Sequence, residues 1–111
     1  MTKPRALPTP IRVGAHLWSV RYDNAACAAG SVTGATLHDQ LEIIMQSEES
    51  GNAREVVQET LLHEVFHAAW GQTPLDADYP DEAEERIIGA LSPIIWSALK
   101  DSPALRKFLG L

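Results

Sequence analysis

The stretch from Ala53 to Trp70 contains neither glycine nor proline, follows Asn52 and is stopped by Gly71, which predicts one long helix in the middle of the chain. Asn52 and Glu55 have the spacing of a capping box. With 111 residues the chain supports one domain, 1–111, so everything else has to pack around that helix. Residues four apart on a helix project about 40° from each other, so His63 and His67 leave the same side one turn apart. Glu64 is rotated about 100° from His63 and lies beside that side. Leu61, Leu62, Val65 and Ala69 fall on the opposite side, which separates a core-facing surface from a histidine-bearing one.

Before this helix the pattern is strand-like. Ile11 to Val13 and Trp18 to Tyr22 have β-branched and aromatic content, with Gly14 as a turn between them, and Leu41 to Met45 reads as a third strand. Residues 24–36, rich in Ala, Gly, Ser and Thr, suit either a short helix with a loop or an irregular connection. After it, Pro74 and Pro80 mark a loop, and Asp81 with Glu84 repeats the capping spacing at the start of a second helix. The apolar set Ala83, Ile87, Leu91, Ile94, Ile95 and Ala98 predicts the inward side of that helix, and Pro93 predicts a kink or a restart capped by Ser92. The end, 101–111, reads as a short helix with Leu105, Phe108 and Leu109 packed back. No repeat is visible, and strands followed by helices predict an α+β fold.

Nine Lys and Arg against fifteen Asp and Glu give a formal net charge of -6, which argues against binding nucleic acid or anionic lipid. The basic residues Lys3, Arg5 and Arg12 are too sparse to change that, and residues 1–10 are expected to be solvated and flexible. The apolar run from Ile87 to Leu99 is interrupted by Pro93 and is shorter than the ~20 residues of a membrane span. Pro4, Pro8 and Pro10 stand where a secretory leader would be apolar, so a cytoplasmic protein is expected. Its single cysteine, Cys27, fits a reducing compartment and, among alanines, reads as inert packing.

The chemistry is concentrated in His63-Glu64-Val65-Phe66-His67, an H-E-x-x-H on the predicted helix. Two imidazoles one turn apart can meet one metal ion, and Glu64 beside them can take a proton from a water activated there. The plainer reading, two surface histidines flanking a solvated glutamate, is opposed by the clean separation from the apolar side. A catalytic zinc wants a third protein ligand and an open position. His16 and His38 read as strand or loop residues, so the acidic cluster Asp76, Asp78, Asp81, Glu82, Glu84 and Glu85 is the better source, although each of these also suits a helix N-terminus or a solvated surface. Tyr79 and His38 are the candidates for a second oxyanion donor; Trp18 and Trp70 read as core or rim aromatics.

Glu59-Thr60-Leu61-Leu62-His63-Glu64-Val65-Phe66-His67-Ala68 resembles the active-site helix of the small single-domain zinc metallopeptidases of the gluzincin type, the minigluzincins common among phage and prophage proteins. Glu85-x-x-Ile88-x-x-Leu91 is similar to that family's third-ligand helix, Lys100-Asp101-Ser102-Pro103 to its closing turn, and Gln40 with Ile43 and Ile44 to the strand preceding the active-site helix. Two positions depart from the pattern: Pro93 falls where the family helix continues, and Ser102 stands in place of an asparagine.

The resemblance implies a zincin-like fold, with a small antiparallel sheet packed on the active-site helix and an edge strand that receives an extended peptide, here Leu41 to Met45. It implies one Zn2+ per chain held by His63, His67 and Glu85, in preference to Glu84 or Glu82, with Glu64 as general base in peptide hydrolysis. The alternative is a non-catalytic zinc-binding interaction or regulatory protein. Its site would be closed by a fourth ligand such as His38 or an aspartate, or covered by residues 72–80.

Overall fold

The computed structural model describes residues 4–111. The chain forms an α+β domain with a four-stranded mixed sheet and five α-helices among the described residues. Strand β1 (Ile11–Val13) turns at Gly14 into β2 (His16–Tyr22), and Asp23 then caps α1 (Asn24–Ala29) by accepting from the Ala26 amide. Strand β3 (Gly34–Leu37) and a 3-10 turn at His38–Gln40 lead into β4 (Glu42–Met45). A second 3-10 turn at Glu48–Ser50 precedes α2 (Arg54–Trp70), the long central helix. The short α3 (Leu75–Asp78) then leads to α4 (Asp81–Asp101) and α5 (Pro103–Leu109).

The sheet order is β1-β2-β4-β3. β1 and β2 are antiparallel, β2 and β4 parallel, and β4 and β3 antiparallel, so the expectation of an antiparallel sheet is corrected to a mixed one. The placement of residues 41–45 at an edge is corrected as well. Ile43 and Met45 alternate with Ile44 along β4, yet all three are buried, which marks a strand covered on both faces. The far edge belongs to β3, in the segment left open in the sequence.

Trp18, Val20, Ile43, Met45, Val57 and Ala68 form the core where α2 lies on the sheet, with Leu61, Val65 and Ala69 packed against it. The start of the chain is anchored there rather than free from residue 5 onward. Leu7 packs on the core, the Val20 amide donates to Thr9 Oγ1 at 3.0 Å, and Tyr22 donates to the Arg5 carbonyl at 2.8 Å. Lys3 lies outside the described residues.

Neither expected capping box forms. Asn52 donates its amide to Gln46 instead, Ala53 occupies the cap of α2, and Pro80 occupies the cap of α4 while Glu84 turns inward. Helix α4 runs through Pro93 without a restart, and Ser92 is buried rather than a cap. The carbonyl that Pro93 leaves without a donor belongs to Gly89, on the exposed side where water can serve it.

The inward side of α4 also differs from the apolar set. Glu84, Ile88 and Ser92 are buried, whereas Ile87, Leu91, Ile94 and Ile95 are exposed. At the end of the chain Phe108 is 89% exposed, so it does not pack back; α5 is held by the Arg106 guanidinium, which donates to the carbonyls of Leu99 and Lys100 at the end of α4. No helix among the described residues is long and apolar enough to cross a membrane.

Candidate metal centre

Helices α2 and α4 lie antiparallel, as three side-chain pairs along them show: Glu55 with Lys100, His63 with Ser92, and His67 with Glu84. This brings Glu85 over the two imidazoles. His63 Nε2 and His67 Nε2 are 3.1 Å apart, Glu85 Oε1 is 3.1 Å from His63 Nε2, and Glu85 Oε2 is 2.8 Å from His67 Nε2. A tetrahedral zinc with bonds of ~2.0–2.1 Å would set its ligands ~3.3 Å apart; the two imidazole nitrogens have close to that spacing, and each is met by a different oxygen of Glu85.

The other ring nitrogens define which atoms are free. His67 Nδ1 is 2.5 Å from Glu84 Oε2 and must donate its proton to that carboxylate. Its Nε2 then carries a lone pair aimed at His63 Nε2 and at carboxylate oxygens. A proton on His63 Nε2 would satisfy this cluster, and so would a cation; two imidazoles and a carboxylate are a donor set that zinc takes. His63 Nδ1 lies 3.3 Å from Ser92 Oγ, so both rings are oriented from α4.

Glu64 is only 6% exposed. Thr36 Oγ1, on β3, is 2.9 Å from Glu64 Oε1 and 3.0 Å from the Glu64 carbonyl, so one hydroxyl proton serves both the carboxylate and the turn that carries it. Burial pushes the Glu64 carboxyl above its ordinary range, opposed by the Thr36 hydrogen bond and the two imidazoles. For His67 burial works the other way, against charging, but the Glu84 hydrogen bond and the nearby carboxylates of Glu64 and Glu85 outweigh it and hold the imidazole above its usual range. Strand β3 can approach α2 this closely because residue 34 is glycine; a Cβ there would lie 2.7 Å from Thr60 Cγ2.

The site opens into a cavity of about 590 Å³. One side of α2, from Val56 to His67, forms its floor, residues 31–34 form one wall, and Glu85 closes the other.

His63, Glu64, His67 and Glu85 are therefore brought together. Glu84 supports His67 from behind, and Glu82 is exposed on the outside of α4. Asp76, Asp78 and Asp81 are exposed, and His16 is exposed on β2; among the described residues none of them joins the His63, His67 and Glu85 group. Neither oxyanion candidate lines the cavity. His38 packs edge-on to Trp18 with ring centres 5.8 Å apart and lies against Gly71, and Tyr79 packs on Trp70 at 6.1 Å. Trp18 and Trp70 are both buried, as expected of core aromatics.

Sequence reasoning missed Thr36, because the composition of residues 24–36 carries no strand signal, and it read Ser92 as a cap. The available signal for Ser92 is its place in the stripe Glu84-Ile88-Ser92, spaced four and four, which puts two polar groups on one side of a helix with a single isoleucine between them. Comparison with protein-family models, with curated proteins and with solved structures finds no match for this chain.

Proposed function

We propose that this chain is a zinc-dependent peptidase with a zincin-like fold, in which His63, His67 and Glu85 hold one zinc ion per chain and Glu64 is the general base. The observation that carries the reading is the convergence of those three side chains, whose ligand atoms all lie within 4.8 Å of one another on two separate helices. Its likeness to the minigluzincins rests on the same residues. A zinc ion held there supplies Lewis-acid chemistry, polarising a carbonyl and acidifying a water.

The protein's own part is to place and move a proton. Glu64 Oε1 is pinned by Thr36, which leaves Oε2 to accept a proton from the attacking water and to return it to the leaving amine. Glu84 and Ser92 contact the outer ring nitrogens, so that both Nε2 atoms are presented inward. An extended peptide is proposed to pair with the open edge of β3, which borders the cavity at Thr33 and Gly34, in place of residues 41–45. Cytoplasmic residence belongs to the same proposal and is supported by Cys27, buried as a thiol whose pKa burial raises.

The test is elemental analysis of the purified protein with proteolysis of an unstructured substrate by the parent and by Glu64→Gln. About one zinc per chain in both, with cleavage by the parent alone, is expected. Undiminished cleavage by Glu64→Gln removes the mechanism. The second reading, a non-catalytic zinc-binding interaction or regulatory protein, draws on the exposed aliphatic row of α4 and the exposed Phe108 of α5. It calls for a fourth protein ligand, and His38, proposed for that place, lies against Trp18 and Gly71 instead.

A further inference from the structure

Beyond the ligands and the base, the cavity holds one more carboxylate. Glu59 is one turn before His63 on α2, so its Cα lies about 6 Å along the helix axis from that ligand, and it lines the same cavity. Among the described residues no Lys or Arg lies within ion-pairing distance of Glu59, and no Lys or Arg lines the cavity. Glu85 meets both imidazoles and Glu64 accepts from Thr36. Glu59 is the carboxylate of the cavity lining that has no such partner among the described residues.

The surroundings of Glu59 add shape to that charge. Val56, one turn further back on α2, is 42% exposed, and Val32, in the turn before β3, is 41% exposed; both line the cavity. A carboxylate bordered by two aliphatic side chains suits a side chain with an apolar stem and a cationic end, because the stem covers the valines while the charge meets the carboxylate. An extended peptide advances about 3.3 Å per residue, so a side chain one or two positions from the bond being cut falls at the distance of Glu59.

We propose that Glu59, with Val32 and Val56, forms a subsite that selects peptides carrying Lys or Arg one or two residues from the scissile bond. This rests on the peptidase reading above and adds its substrate class. Neutral and acidic peptides lack the ion pair, and an acidic side chain there is repelled.

The experiment uses the zinc-loaded full chain and a matched peptide set with Lys, norleucine or Glu at each of the positions flanking the cleaved bond. Norleucine keeps the Lys stem and removes only the charge. For the parent, kcat/KM is expected to be about 5- to 20-fold higher with Lys than with norleucine at one position, and lowest with Glu. Glu59→Gln is expected to bring the Lys-to-norleucine ratio of kcat/KM down to about one, and Glu59→Lys to favour the Glu peptide.

Binding of the same peptides to zinc-loaded Glu64→Gln, followed by fluorescence anisotropy, gives a readout that needs no turnover. It should show the same ranking, weakened by added salt. Equal kcat/KM for Lys and norleucine at every position, or a Lys preference that survives in a folded Glu59→Gln protein, overturns the subsite while leaving the peptidase reading intact. A zinc-loaded parent that cleaves none of the peptides defeats the peptidase reading, and the subsite with it.

Discussion

Helices α2 and α4 build the candidate metal centre together, yet they use their surfaces in opposite ways. α2 turns an apolar side, including Val57 and Ala68, onto the sheet and keeps its histidines on the other. α4 gives much of its buried side to polar groups, Glu84 and Ser92 around Ile88, and leaves Leu91 and Ile94 to solvent, the latter 67% exposed. On α2 the buried positions are apolar except for Glu64. On α4 burial follows the need to orient two imidazoles, at the expense of apolar contact that the sequence could have made.

Substitutions separate these two uses. The largest effect is expected on α2 at Glu64, where Gln should lower kcat by about 10²- to 10⁴-fold with zinc retained, measured by steady-state kinetics and metal content side by side. Next comes the division within α4. Ile88→Ala should cost about 2–4 kcal/mol in denaturant unfolding and Ile94→Ala less than about 0.5 kcal/mol. Equal costs would show that the buried and exposed sides of α4 are assigned the wrong way round.

Glu84→Ala should weaken zinc binding by about 10- to 100-fold in competition with a chromophoric chelator, and Glu84→Gln by less, since it keeps an acceptor for His67 Nδ1. Unchanged affinity in both variants would reduce Glu84 to a packing residue.

The smallest effect is a control placed away from both helices. Arg21 on β2 holds the Glu42 carboxyl below its ordinary range through a hydrogen bond, and Asp23 is lowered first by the Ala26 amide and then by Arg21. Carboxyls with depressed folded values stabilise the fold above the ordinary carboxylate range, and that contribution is lost as pH falls through the folded values. Arg21→Gln should therefore lower Tm slightly near neutrality, with the gap to the parent closing in acid. This behaviour should be the same in zinc-loaded and chelated protein.

The sequence made α2 legible because a long stretch free of glycine and proline, stopped by Gly71, leaves little freedom. The residue pattern left six acidic candidates open and the minigluzincin resemblance singled out Glu85, a carboxylate that the antiparallel packing of α4 brings onto both histidines. The strand pairing was not legible. Nothing in Leu41 to Met45 says that β2 will pair with it in parallel, because that register is set across distant residues such as Val20 and Ile43. The capping boxes failed for a related reason: Asn52 found Gln46 and Glu55 found Lys100, tertiary partners that a local spacing rule cannot see. The inner side of α4 was misread because periodicity counts apolar residues and has no means of weighing a carboxylate that a histidine requires.

Gln72, just past the end of α2, donates to the carbonyls of Val13 and Ala68 and accepts from the Ala15 amide. It thereby fastens the far end of the helix to the β1–β2 turn, as Thr36 fastens its middle to β3. The two histidines and Glu64 are thus braced against the sheet, while Glu85, Glu84 and Ser92 ride on α4, joined to α2 in sequence through the exposed span 71–80. An ion held by His63, His67 and Glu85 would act as a rivet between α2 and α4, added to the contacts through which Glu84, Ile88 and Ser92 already seat that helix. The rate of metal exchange would then gauge how readily α4 loosens on α2.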